Sequence, residues 1–116
     1  MLSPQAYARL QGFLHRRSAR QRVILYLLAD GHTVADLVRM TVERLRARGL
    51  PTEIAVARDE FLAGRTRGPA FRFEPSRTPL PHNAFYRIVR SAACAAVGYP
   101  MSQEGFRAHI QSGHSG

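Results

Sequence analysis

Apolar residues recur at intervals of three and four along most of this chain, and a glycine, a proline or both close each run. Val23, Ile24, Leu27 and Leu28 precede Asp30-Gly31. A stripe of Val34, Leu37, Val38, Thr41 and Leu45 precedes Gly49 and Pro51. Phe85, Ile88, Val89, Ala92 and Ala96 precede Gly98 and Pro100. Such spacing gives each segment one buried helical face. Glycine accepts the left-handed conformation that ends a helix, and proline forbids its continuation. A chain punctuated in this way packs as several short helices.

Between these runs the elements follow in order. Residues Pro4 to His15 form a first helix, with Ser3 as cap and Leu10 and Leu14 on one face. Gln21 to Ala29 is the second. Thr33 opens the third, which runs to Arg48, and Asp36 three residues on is a weak capping box. Arg39, Glu43, Arg44, Arg46 and Arg48 lie largely off its stripe. Glu53 to Ala57 reads as a short strand and Asp59 to Ala63 as a single helical turn. Gly64 to Pro69 is a basic loop, Ala70 to Phe73 a second strand, and Pro75, Pro79 and Pro81 mark an extended connector. A long helix covers Pro81 to Val97, and its alanine-rich second half expects a close neighbour. Ser102 caps the last helix, which carries Phe106 and Ile110, and residues 112–116 fray. The expectation is a mainly α fold with a small β element, in one domain over residues 1–116.

Charge narrows the function. The formal net charge is +9, and the 17 basic residues are all arginine. The planar guanidinium fork suits phosphate and guanine edges, so a polyanion, duplex DNA first, is the expected partner. Codon usage in a GC-rich genome accounts for arginine in place of lysine, but not for the excess of positive charge. One cysteine, Cys94, excludes an internal disulfide. The apolar runs are too short to span a bilayer, and the N-terminus shows no basic stretch leading into an apolar one. The expectation is a cytoplasmic protein with no membrane contact.

The candidate DNA-binding residues are arginines. Arg65 and Arg67 sit in the glycine-bounded loop, Arg77 in the proline-marked connector, and Arg87 and Arg90 one turn apart on a single helix face. Arg107 lies near the start of the last helix. His15, His32, His82, His109 and His114 form no recognisable metal-ligand spacing, and no metal or other cofactor is expected. Cys94 has no neighbouring base in the sequence and reads as a packing residue. No glycine-rich phosphate loop follows a strand.

The order of these pieces resembles the catalytic domain of tyrosine recombinases, the phage-integrase family, over roughly residues 17 to 113. Arg20 to Val42 is similar to that family's first conserved box, with its apolar helix, its glycine and the turn Gly31-His32-Thr33 into a leucine-bearing helix. Phe71 to Ile110 is similar to the second. It has Phe71-Arg72-Phe73, the lead-in Pro79-Leu80-Pro81, the helix Asn83 to Gly98, and the segment Ser102 to Ile110, which stands where the family has its His-x-x-Arg helix. The resemblance places the family's first arginine at Thr33 or His32, and neither is arginine. It places the histidine at Glu104 and keeps the arginine as Arg107. The residue after that arginine, histidine in many members, is Ala108. The family's lysine has no counterpart, and Tyr7, Tyr26, Tyr86 and Tyr99 all precede Arg107, so none takes the nucleophile's place in the order. One arginine cannot supply the transition-state donors, and covalent strand transfer needs the nucleophile.

What the resemblance implies is a truncated, inactive recombinase-like domain that binds DNA, from a mobile element or plasmid, and competes with or regulates an active recombinase. Three other readings compete with it. One is a helix-turn-helix regulator with the helix from Thr33 in the major groove. Another is an adaptor for an acidic protein partner. The third is an enzyme completed by residues of a second chain. Arg107 either holds a phosphate in a basic cleft shared with the Thr33 turn or pairs with Glu104 one turn before it.

Overall fold

The computed structural model describes residues 2–72 and 78–112. Seven helices are formed among these residues: α1 (Pro4–Leu14), α2 (Ala19–Ala29), α3 (Val34–Val38), α4 (Val42–Ala47), α5 (Thr52–Leu62), α6 (His82–Val97) and α7 (Gln103–Ser112). Short polar side chains start several of them. The Ser3 hydroxyl accepts from the Ala6 amide, Ser18 from Gln21, and Ser102 from Gly105. Each bond satisfies one of the donors that a helix start leaves open. Thr33 and Asp36 form a complete capping box, the hydroxyl on the Asp36 amide at 3.1 Å and the carboxylate on the Thr33 amide at 3.0 Å.

Helix α2 is the centre of the molecule. Its buried residues form an unbroken run from Val23 to Ala29, wider than the four-residue stripe expected from the sequence. A helix that is apolar all round belongs inside. It packs against α1, α5, α6 and α7. One contiguous buried cluster draws side chains from all seven helices, including Leu10, Leu37, Leu45, Ile54, Phe85 and Phe106. Phe71 is buried between two other rings, stacked on Phe61 at 5.5 Å and edge-on to Phe85 at 5.8 Å.

The structure corrects the sequence reading at four places. The helix expected from Thr33 to Arg48 is two helices, broken at Arg39 to Thr41. At the break the backbone pairs elsewhere: the Val42 amide donates to the Gly68 carbonyl and the Ala70 amide to the Met40 carbonyl, both at 2.9 Å. Thr41 is therefore the N-cap of α4, its hydroxyl accepting from the Arg44 amide at 3.2 Å, and not a member of a buried stripe.

The strand expected at Glu53 to Ala57 and the turn at Asp59 to Ala63 are one helix, α5. A strand would put Ile54 and Val56 on the same face. Instead Ile54 is 1 % exposed and Val56 61 %, while Ile54, Ala57 and Leu62 share the buried side. The strand expected at Ala70 to Phe73 reduces, for its described part, to isolated bridges, Thr41 with Pro69 and Arg72 with Pro79. Phe73 lies outside the described residues. In α6, Ala93 is buried in place of Ala96, and the last turn, Cys94 to Ala96, lies at the surface.

Candidate nucleic-acid interface

Gly98, at φ +88°, ends α6, and the chain returns through Ser102 into α7. This return aims Arg107 at the C-terminal end of α2. Its Nε donates to the Leu28 carbonyl at 2.9 Å, and a terminal nitrogen donates to the His32 carbonyl. The last carbonyls of a helix lack their usual intrahelical amide, so a guanidinium on the Leu28 carbonyl offsets the negative end of the α2 dipole, while the second bond holds the His32 carbonyl in the turn that follows. Glu104 is exposed, and no ion pair joins it to Arg107 among the described residues. Neither of the two roles expected for Arg107 describes this geometry. Its guanidinium binds backbone.

The two segments paired by the sequence reading do meet. Thr33, Val34, Ala35, His82, Tyr86, Gln103, Glu104 and Arg107 line one cleft of about 310 Å³. Its electrostatics are mixed. Asp36 lies beside His32, its Oδ2 3.7 Å from Nδ1. Hydrogen bonds from the Thr33 amide and hydroxyl hold the Asp36 carboxyl below its ordinary range. Burial, and then the Arg48 guanidinium, push the His32 imidazole below its ordinary value, and this outweighs the opposing pull of Asp36 and Asp30. His32, one residue before the cleft lining begins at Thr33, therefore takes up a proton less readily than a free imidazole.

The other expected residues separate into two kinds. Arg67, Arg87 and Arg90 are exposed, and Arg90 borders a shallow cleft with Pro100, Met101 and Ser102. Arg65 is half-buried and turned back on its own loop. It donates to the Pro69 carbonyl at 3.1 Å and the Ala70 carbonyl at 2.9 Å, with its guanidinium 5.1 Å from the Phe61 ring centroid. Arg77 lies outside the described residues, as does His114. Cys94 is exposed, and His109 packs edge-on against Phe13. No group of three His, Cys, Asp or Glu is placed to hold a metal ion among the described residues. Nor is any helix there long and apolar enough to cross a membrane.

Other arginines repeat the carbonyl-binding pattern. Arg9 donates to the Ile110 and Gln111 carbonyls at the end of α7, and Arg58 to those of Arg46 and Arg48 at the end of α4. Arg48 itself pairs with Asp30 at 3.0 Å. With only 8 acidic residues for 17 arginines, backbone oxygen is the commoner anchor here. The arginines that sequence reasoning missed are Arg17 and Arg20 at the start of α2, and Arg72. Arg17 donates to the Ser91 hydroxyl of α6 at 3.4 Å. Arg20, Arg65 and Arg72 line a common cleft beside the end of α5. The signal for the first two was the density of arginine in Arg16-Arg17-Ser18-Ala19-Arg20-Gln21-Arg22. Nothing local marked Arg72.

No protein-family model, curated protein or solved structure gives a significant match to this chain.

Proposed function

We propose that this chain binds duplex DNA along an arginine-rich surface, without catalysing strand chemistry, as an inactive recombinase-like protein with a binding or regulatory role. The observation that carries the reading is the formal net charge of +9, presented in part by the exposed Arg67, Arg87 and Arg90. A surface of this sign concentrates a polyanion and steers it to the protein. The meeting of the Thr33 turn with Arg107 in one cleft supports the recombinase-like part of the reading. The chemistry of that cleft supports the inactive part. The one arginine in its lining is bonded to backbone carbonyls, and Glu104 repels a phosphate. The helix-turn-helix alternative loses its reading element, because α3 runs only from Val34 to Val38 and buries Val34 and Leu37.

Titration of a fluorescent duplex at low and moderate ionic strength tests the binding. Affinity is expected to fall steeply with salt, because each phosphate contact releases counterions. No binding at low salt overturns the proposal. Incubation with a suicide substrate followed by a denaturing gel tests the second half. A covalent protein–DNA adduct would show that the chain is an active enzyme.

A further inference from the structure

Helix α6 is 16 residues long, the longest described, and contains no acidic residue. At about 100° per residue, Asn83, Arg87, Arg90 and Cys94 fall within about 60° of one another around its axis. All four are exposed, opposite the buried Phe85, Ile88, Val89, Ala92 and Ala93. The two arginines of this row are not anchored on the protein. Arg9, Arg58 and Arg107 bond to backbone carbonyls, whereas Arg87 and Arg90 form no hydrogen bond or ion pair among the described residues.

The row sits on a firm support. Through its buried face α6 packs against α1, α2, α3 and α7, so the outer side chains start from fixed points. Asn83 to Arg90 covers about 10 Å along the axis, the rise of about three base pairs. A helix fits the major groove, which is about 12 Å wide. There asparagine meets an adenine edge and arginine a guanine edge, each through two hydrogen bonds. The last turn, Cys94 to Ala96, is exposed and carries only small side chains, so that end of the helix can lie close to the groove floor. On one flank of the row Arg17 reaches α6, donating to the Ser91 hydroxyl at 3.4 Å. Glu104 shares a cleft with Tyr86, on the opposite flank.

We infer that the outer face of α6 enters the major groove of duplex DNA, with Asn83, Arg87 and Arg90 on base edges and Arg17 toward the phosphate strand on the Ser91 flank. This rests on the DNA-binding reading above and turns attraction to the backbone into recognition of sequence. Positive charge by itself draws in any polyanion. Asn83 adds nothing to that attraction, yet it stands in line with two unanchored guanidinium groups, and its amide suits a base edge.

The test starts with the unsubstituted chain and a pool of duplexes with a randomised centre, from which bound molecules are recovered and sequenced. An enriched site containing guanine is expected. The enriched duplex and a scrambled one are then titrated against variants at several salt concentrations, with thermal melting as a check on folding. Arg87→Gln and Arg90→Gln are each expected to weaken binding about tenfold on the enriched duplex and about twofold on the scrambled one. Asn83→Ala, which removes no charge, is expected to weaken only the enriched duplex, by about fivefold, and to leave the salt slope unchanged. Arg22→Gln, on α2 beside Glu53, is expected to affect both duplexes equally, by less than about twofold. Duplex RNA of the enriched sequence, whose major groove is too narrow for a helix, is expected to compete at least about tenfold less well. DNA binding with no enriched sequence, equal competition by the RNA, or enrichment that survives in all three α6 variants would overturn the placement of α6 and leave the DNA-binding reading standing. Failure of the unsubstituted chain to bind the pool at low salt would overturn both.

Discussion

Arg107 and His32 stand 75 residues apart in the sequence, yet the guanidinium of the first donates to the carbonyl of the second. With the companion bond to Leu28, this fixes α7 on the C-terminal end of α2. A residue placed there serves the fold before it serves a ligand. Arg107→Ala is expected to lower unfolding free energy by about 1.5–3 kcal/mol, the range for hydrogen bonds to a charged group. Arg107→Lys is expected to recover only part of it, because one ammonium does not reproduce a planar fork across two carbonyls. Urea denaturation measures both. Duplex affinity of the folded Arg107→Ala chain is expected to be unchanged, and a marked drop would return Arg107 to the DNA surface.

Arg48 joins the end of α4 to the end of α2 through Asp30, whose side chain is only 9 % exposed. Removing the cation leaves a largely buried carboxylate without that partner. Arg48→Ala is expected to cost about 1–3 kcal/mol. Arg44, one turn earlier on α4, is exposed and forms no ion pair among the described residues, and is expected to give less than about 0.5 kcal/mol on the same substitution. Chemical denaturation of the two variants side by side checks the difference.

Thr41 distinguishes a broken helix from a continuous one. In a continuous helix alanine would be the better residue. As the N-cap of α4, Thr41 supplies an acceptor to Arg44, and Thr41→Ala is expected to destabilise by about 1 kcal/mol. A gain in stability from this substitution would mean that α3 and α4 are one helix.

His32 gives the fold a dependence on pH. Its imidazole is held below the ordinary value of 6.5, first by burial and then by Arg48. The unfolded chain therefore takes up the proton more readily than the folded one, so stability rises with pH through this window. The contribution is fully present above the unfolded value and is lost as pH falls through the lower folded value. Melting temperature is expected to drop between pH 7 and pH 5, and His32→Gln to flatten that part of the curve. Asp36, also held low, adds a loss only in the acid range below the ordinary carboxylate value. An unchanged slope in His32→Gln would assign the dependence elsewhere.

Much of the helical framework was legible locally. Ser3, Thr33 and Ser102 mark helix starts because a short side-chain oxygen reaches the amide two or three residues on, a relationship contained within one turn. Gly31, Gly98 and the prolines mark stops for equally local steric reasons. The stripe of Phe85, Ile88, Val89 and Ala92 was readable because one face of α6 meets the core. Where the reading failed, the deciding partner was remote. Glu53 to Leu62 carries a helical pattern, but its alternating Ile54 and Val56 match a strand equally well over five residues. The break at Thr41 depends on backbone donors and acceptors 26 to 30 residues away, at Gly68 and Ala70.

The candidate site divides along the same line. Composition alone determined that this chain carries a large positive charge and that all of its strong bases are arginine. It did not determine which arginines face outward. Arg65 and Arg107 look alike in sequence to Arg67 and Arg90, but the first two lie within reach of backbone carbonyls and bond to them, and the other two remain exposed. Arg20 and Arg72, 52 positions apart, belong to one cleft because α5 packs on α2 and its end, Phe61 to Ala63, lies beside both. Charge is a property of each residue and is counted from the sequence. An electrostatic surface is a property of where the chain brings those residues together, and tertiary packing decides that.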